Sequence, residues 1–122
     1  MKKSVRILLV DDDPDFAQAM AFWLESRGYS VTLVLNGEDA IRTIKENTPD
    51  IVFLDIVMPH MDGYTVLKLV REFNETLPVI MMSAYEKEEK VKRKVNFYGV
   101  SSFFDKGDNF SKAMALLESA LH

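Results

Sequence analysis

Val5-Arg6-Ile7-Leu8-Leu9-Val10-Asp11-Asp12-Asp13-Pro14 opens apolar and β-branched, then stops abruptly in three acids and a proline. A short apolar run of this kind predicts a strand buried on both faces. Asp13 followed by Pro14 predicts a helix start, with the carboxylate as N-cap and proline in the first turn. Downstream, Phe16, Met20, Trp23 and Leu24 recur at helical spacing until Gly28. One strand, one acidic loop and one amphipathic helix therefore follow in order.

The same unit repeats along the chain. Tyr29 to Leu35 reads as a second strand, Asn36-Gly37 as the turn after it, and Glu38 to Asn47 as a helix. Ile51 to Leu54 is a third strand, cut off by Asp55. A loop with Met58-Pro59 and Asp62-Gly63 leads to a helix from about Tyr64 to Asn74. Val79 to Met82 is a fourth strand ending at Ser83, and Glu86 to Tyr98 a charged helix that stops at Gly99. Ser102 to Phe104 is a short fifth strand before Asp105-Lys106-Gly107, and Phe110 to Leu121 is the last helix. Five strands alternating with helices predict an α/β doubly wound parallel sheet covered on both faces.

Composition agrees with one such domain. The chain has 122 residues, 48% hydrophobic and 28% charged, enough apolar material for a core without staples. Cysteine is absent, which excludes thiol chemistry and cysteine-ligated metal, and two histidines are too few for a histidine metal centre. A formal charge of −4 argues against direct nucleic-acid binding. No apolar run approaches the roughly 20 residues needed to cross a bilayer, so the expectation is a cytoplasmic protein with no membrane partner.

In doubly wound sheets ligands bind beyond the carboxyl ends of the strands, at the switch point in strand order. Strand one ends in Asp11 and Asp12, strand three in Asp55, strand four in Ser83, and strand five is followed by Lys106. Each has a bland reading: a capping carboxylate, a loop hydroxyl, a solvated lysine. Their joint placement on one rim is harder to explain that way. Clustered carboxylates need a cation to stay ionised, and an oxygen-only set favours a hard one such as Mg²⁺. A carboxylate flanked by a metal and an ammonium can act as a nucleophile toward phosphorus.

These motifs, Leu9-Val10-Asp11-Asp12, Leu54-Asp55-Ile56-Val57-Met58-Pro59 with Asp62-Gly63, Pro78 to Ala84, and Gly99 with Phe103 and Lys106, together resemble the receiver domain of two-component response regulators. The likeness runs from about Val5 to Leu121. It implies a flavodoxin-like (βα)5 fold with strand order 2-1-3-4-5, and a phosphoacceptor signalling domain in place of an enzyme. By position, Asp55 matches the phosphoacceptor, and Asp12 and Asp55 the direct Mg²⁺ ligands. Asp11 matches a ligand acting through water, and Val57 one lending its backbone carbonyl. Ser83 matches the hydroxyl that turns toward the phosphoryl group, Lys106 the cation that contacts it, and Phe103 the switch aromatic.

The implied partners are a histidine kinase or histidine phosphotransfer protein as donor, and a downstream protein or output domain as receiver of the signal. The implied output face is the fourth predicted helix, the fifth strand and the last helix, through which a homodimer can also form. That helix holds five basic and three acidic residues between Glu86 and Lys94, with a narrow apolar side of Val91, Val95 and Tyr98. No helix-turn-helix or catalytic segment is visible, so the expectation is a single receiver domain over residues 1–122 without an output domain. The alternative is a receiver-like docking module that takes no phosphate. A flavin-binding protein of the same topology is disfavoured, because Asp11-Asp12-Asp13 repels a phosphate.

Three residues depart from the common pattern. Gly107 stands where proline, joined by a cis bond, usually follows the lysine. A cis bond without proline costs about 3–4 kcal/mol, so a trans peptide is expected, with the glycine free to absorb an unusual dihedral. Phe103 replaces a frequent tyrosine and brings no hydroxyl to satisfy on burial. Val57, with Tyr85, flanks the site with apolar bulk that should hinder an attacking water.

Overall fold

A computed structural model describes residues 4–84, 93 and 96–121. Its elements are β1 (Arg6–Val10), α1 (Pro14–Glu25), β2 (Ser30–Val34), α2 (Gly37–Glu46), β3 (Ile51–Asp55), α3 (Gly63–Phe73), β4 (Val79–Ser83), β5 (Ser102–Asp105) and α4 (Phe110–Leu121). Most of the predicted helix from Glu86 to Tyr98, with Val91 and Val95, lies outside the described residues, as does Tyr85.

The strands form one parallel sheet in the order β2-β1-β3-β4-β5. Alternate side chains feed two cores, because successive strand residues point to opposite faces. Leu8, Val10, Val52, Leu54, Val79 and Met81 pack beneath α2 and α3, against Ala40, Ile44, Val66, Leu67 and Val70. Ile7, Leu9, Ile51, Phe53, Ile80, Met82 and Phe104 pack beneath α1 and α4, against Ala17, Met20, Leu24, Ala113 and Leu117. β3 and β4 are buried along their whole length, whereas β2, at the sheet edge, stays half exposed. An edge strand has a neighbour on one side only, and its Ser30 and Thr32 are the polar positions that tolerate this.

Helix starts follow local chemistry. Asp13 caps α1 by accepting from the backbone N–H of Asp15 and Phe16, as read from the sequence. Asp62 caps α3 through the Thr65 N–H. One reading needs correction. Asn36-Gly37 is the start of α2 itself, Asn36 accepting from the Asp39 N–H at 2.8 Å and Gly37 being the first helical residue. The dipeptide that signals a turn also supplies an N-cap, and here the cap prevails.

The order of the strands creates the site. The chain runs from β1 outward to β2, returns, and continues on the other side of β1 with β3, so the loops after β1 and β3 diverge and leave a crevice between them. Gly63 closes the floor. An ideal Cβ there would stand 2.2 Å from the Asp55 carbonyl oxygen, and its N–H donates to the Ile56 carbonyl at 2.8 Å. Only glycine lets the start of α3 come this close to the end of β3.

Candidate functional site

Asp11 follows the last residue of β1, and Asp55 is the last residue of the adjacent β3. Asp11 has no exposed surface and Asp55 is 4% exposed, whereas Asp12 is open to solvent. One carboxylate oxygen from each of the three lies within 4.8 Å of the others. Asp11 Oδ1 is occupied, accepting the Asp13 N–H at 2.9 Å. Asp55 Oδ1 faces the Val57 N–H at 3.4 Å, at the long end of a hydrogen bond.

Lys106 arrives from the far side of the sheet. The backbone holds it there: its N–H donates to the Ser83 carbonyl at 2.8 Å, and Ser83 pairs with Asp105 in the β4–β5 register. The ammonium reaches 2.9 Å from Asp11 Oδ2 and 3.4 Å from Asp55 Oδ2. The shorter approach is a charge contact outside hydrogen-bond geometry, and among the described residues buried Asp11 Oδ2 has no hydrogen bond.

Electrostatics follow from this burial. Desolvation pushes the Asp55 carboxyl up to about 7; the Asp11 charge adds to the rise and Lys106 pulls part of it back. Burial by itself would lower the Lys106 pKa, but contact with Asp11 and the charges of Asp55 and Asp11 outweigh it, and the net direction is up. One ammonium against three carboxylates leaves the rim acidic. An under-satisfied buried oxygen beside an all-oxygen donor set fits a hard divalent cation, and Asp11, Asp12 and Asp55 are the residues that could hold it.

The remaining predicted residues are placed as follows. Ser83 ends β4 next to β3 and is buried. Phe103, paired with Met81 in the register, is half-buried against the core beneath α2 and α3. Val57 is 60% exposed beside Asp55, an apolar side chain in solvent at the mouth of the crevice.

The Lys106–Gly107 peptide is trans, and Gly107 takes no left-handed dihedral. Its N–H donates to Asp105 Oδ1 at 2.8 Å, a bond a proline cannot make, and this short turn does the work expected of the special dihedral. A further residue escaped the sequence reading. Phe16, assigned only to the apolar side of α1, lies with its ring centroid 4.7 Å from the Lys106 ammonium. Its spacing from Asp11 is the same as that of any core residue in a first helical turn, so no local signal marks it.

Comparison with known proteins agrees with this geometry. The family model of the response regulator receiver domain matches residues 7–118. The chain is 32% identical over 118 residues to the transcriptional regulatory protein ZraR of Escherichia coli (strain K12), covering 97% of this chain and 26% of ZraR. It is 40% identical over 80 residues to the response regulator MprA of Mycobacterium sp. (strain KMS), covering 66% of this chain and 35% of MprA. Among solved structures, the receiver domain of NtrX from Brucella abortus superposes with a TM-score of 0.87 at 27% identity, covering 94% of this chain and 97% of that one. A doubly wound signalling domain with an acidic switch-point crevice is the class that fold and site define. The chain belongs to the response regulator receiver domain family. It spans 65% of the length of one curated relative and 26–35% of the regulators named above. Among the described residues no helix is long and apolar enough to cross a membrane.

Proposed function

We propose that this chain is the phosphoryl-accepting switch of a phosphorelay, with Asp55 as the acceptor. The observation that carries the reading is the meeting of Asp11, Asp12, Asp55 and Lys106 at the switch point between β1 and β3. In the reaction, an Asp55 carboxylate oxygen bonds to phosphorus as the phosphorus–nitrogen bond of a donor phosphohistidine breaks. The imidazole leaves with the electron pair and takes up a proton. Lys106 follows the charge from the carboxylate to the new phosphoryl oxygens, and the Ser83 hydroxyl turns to donate to one of them.

Mg²⁺ would be held by Asp12 and Asp55, by Asp11 through water and by the Val57 carbonyl, and when bound it supplies neutralisation of the phosphoryl charge. Phosphorylation replaces the Asp55 carboxylate charge with a phosphoryl group bearing roughly two negative charges. The movement of Ser83 frees space that Phe103, already half-buried on the adjacent strand, enters more deeply. Strand β5, α4 and the predicted helix before β5 then present a changed face to a downstream protein or output domain, or to a second copy of the chain. The donor is a histidine kinase or a histidine phosphotransfer protein.

Gly107, where proline usually follows the lysine, is the one departure that favours the docking-only alternative, yet with that glycine Lys106 still reaches both carboxylates. Incubation with acetyl phosphate and Mg²⁺, followed by intact mass, separates the two. The switch gains one phosphoryl group, and Asp55→Asn gains none. A wild-type chain whose mass stays constant under those conditions overturns the proposal.

A further inference from the structure

Lys106 has a flexible four-carbon stem, and the residue after it is a glycine in an ordinary trans peptide. Nothing in its own backbone stiffens the side chain. Its two carboxylate partners are also inconstant, because Asp55 gives up its charge when it is esterified and Asp11 faces a bound cation. A further contact among the described residues is the Phe16 ring, 4.7 Å from the ammonium. Phe16 is itself held: Phe110 meets it edge-on at 5.8 Å between centroids, and Trp23 lies 6.0 Å from Phe110 on the other side. Phe110 opens α4, directly after the loop that carries Lys106, so this aromatic group fixes the loop to α1 as well as the ring beneath the cation. An aromatic face attracts an ammonium without neutralising it.

We propose that Phe16 is a positioning residue for Lys106: its ring is the neutral seat that keeps the ammonium over the crevice while the charge at Asp55 changes. The inference rests on the phosphoacceptor reading for its consequence, though not for the contact itself. The seat also explains how a glycine is tolerated after the lysine. A ring on α1 and the Asp105 turn together restrict what a stiffer peptide would otherwise restrict.

The experiment compares the wild-type chain with Phe16→Leu and Phe16→Tyr, each checked by thermal melting; Phe16→Met replaces the leucine variant if that one fails to fold. In metal-free protein the Lys106 ε-methylene resonances should be shifted upfield by the ring current, a shift lost in Phe16→Leu and kept in Phe16→Tyr. With saturating Mg²⁺ and acetyl phosphate, Phe16→Leu should take up phosphate about tenfold more slowly, the loss expected for a partly desolvated cation–ring contact. Phe16→Tyr should stay within about twofold. Unshifted Lys106 resonances in the wild type, a wild-type rate in Phe16→Leu, or equal losses in the leucine and tyrosine variants would overturn the inference. Absence of phosphorylation in the wild type would overturn the phosphoacceptor reading instead, and the resonance shift then decides the seat alone.

Discussion

The Lys106 ammonium stands nearer to Asp11 than to Asp55, at 2.9 Å against 3.4 Å, and among the described residues the buried Asp11 oxygen it faces has no hydrogen bond. The lysine is thus the chief counterion of Asp11, and only secondarily of Asp55. Its charge opposes that of any cation entering the crevice. Both must be accommodated around the same three carboxylates, which sets the first expectation.

Replacing Lys106 by methionine keeps the stem and removes the charge. At about 5 Å the repulsion between a unit charge and a divalent ion is roughly 2 kcal/mol even at the dielectric of water. Mg²⁺ should therefore bind at least about tenfold more tightly in Lys106→Met, while phosphate uptake from acetyl phosphate falls by at least about tenfold. Calorimetry and a phosphorylation time course check the two halves. Weaker magnesium binding in the variant would contradict the charge argument.

Stability should depend on pH through Asp55. Its carboxyl is pushed up to about 7 in the folded chain by burial, from an ordinary value of 3.8, so between those values the folded state holds a proton the unfolded state has released. Unfolding free energy then falls as pH rises across that window and levels off above it. With solvent screening, the loss from pH 5 to pH 8 attributable to this group is about 1–2 kcal/mol. Urea denaturation in a chelator should show it, Asp55→Asn should flatten it, and Mg²⁺ should offset it at pH 8.

Gly63→Ala should damage fold and site together. The added methyl carbon would begin 2.2 Å from the Asp55 carbonyl oxygen, a backbone atom with no freedom to swing away. A destabilisation of about 2–3 kcal/mol is expected, with slower phosphate uptake because β3 must retreat from the crevice. A chevron or equilibrium urea curve, with the acetyl phosphate assay, tests both.

Val57 is an exposed apolar side chain two residues from Asp55, and on the phosphoacceptor reading it should hinder a water attacking the acyl phosphate. Val57→Asn replaces it with a group that can hydrogen-bond that water, and the phosphorylated lifetime should shorten severalfold, by about 1 kcal/mol of barrier. Decay of the phosphorylated mass after removal of the donor measures it. An unchanged lifetime would remove Val57 from the account of hydrolysis.

Much of this molecule is local and therefore legible in the chain. Asp13 caps α1 because a side chain beside a helix start needs no distant partner, and Phe110 to Leu121 shows its helical period within its own length. The buried strands announce themselves as apolar runs ended by acids. Asn36-Gly37 was misread because one dipeptide serves two local purposes, a turn and a helix N-cap, and here Asn36 caps the helix. The site residues were legible for a related reason: each lies at the end of a strand, and strand order alone brings those ends together.

Sequence by itself determined which groups would meet: three carboxylates and an ammonium at the carboxyl ends of a parallel sheet. Tertiary structure alone decided how they meet. That Lys106 favours Asp11, that Asp55 is lifted to about 7, and that Phe16 lies beneath the ammonium all depend on distances and burial across elements far apart in the chain. Local spacing carries no record of those distances, because Coulomb energy, desolvation and ring contact depend on separation in space and not along the backbone.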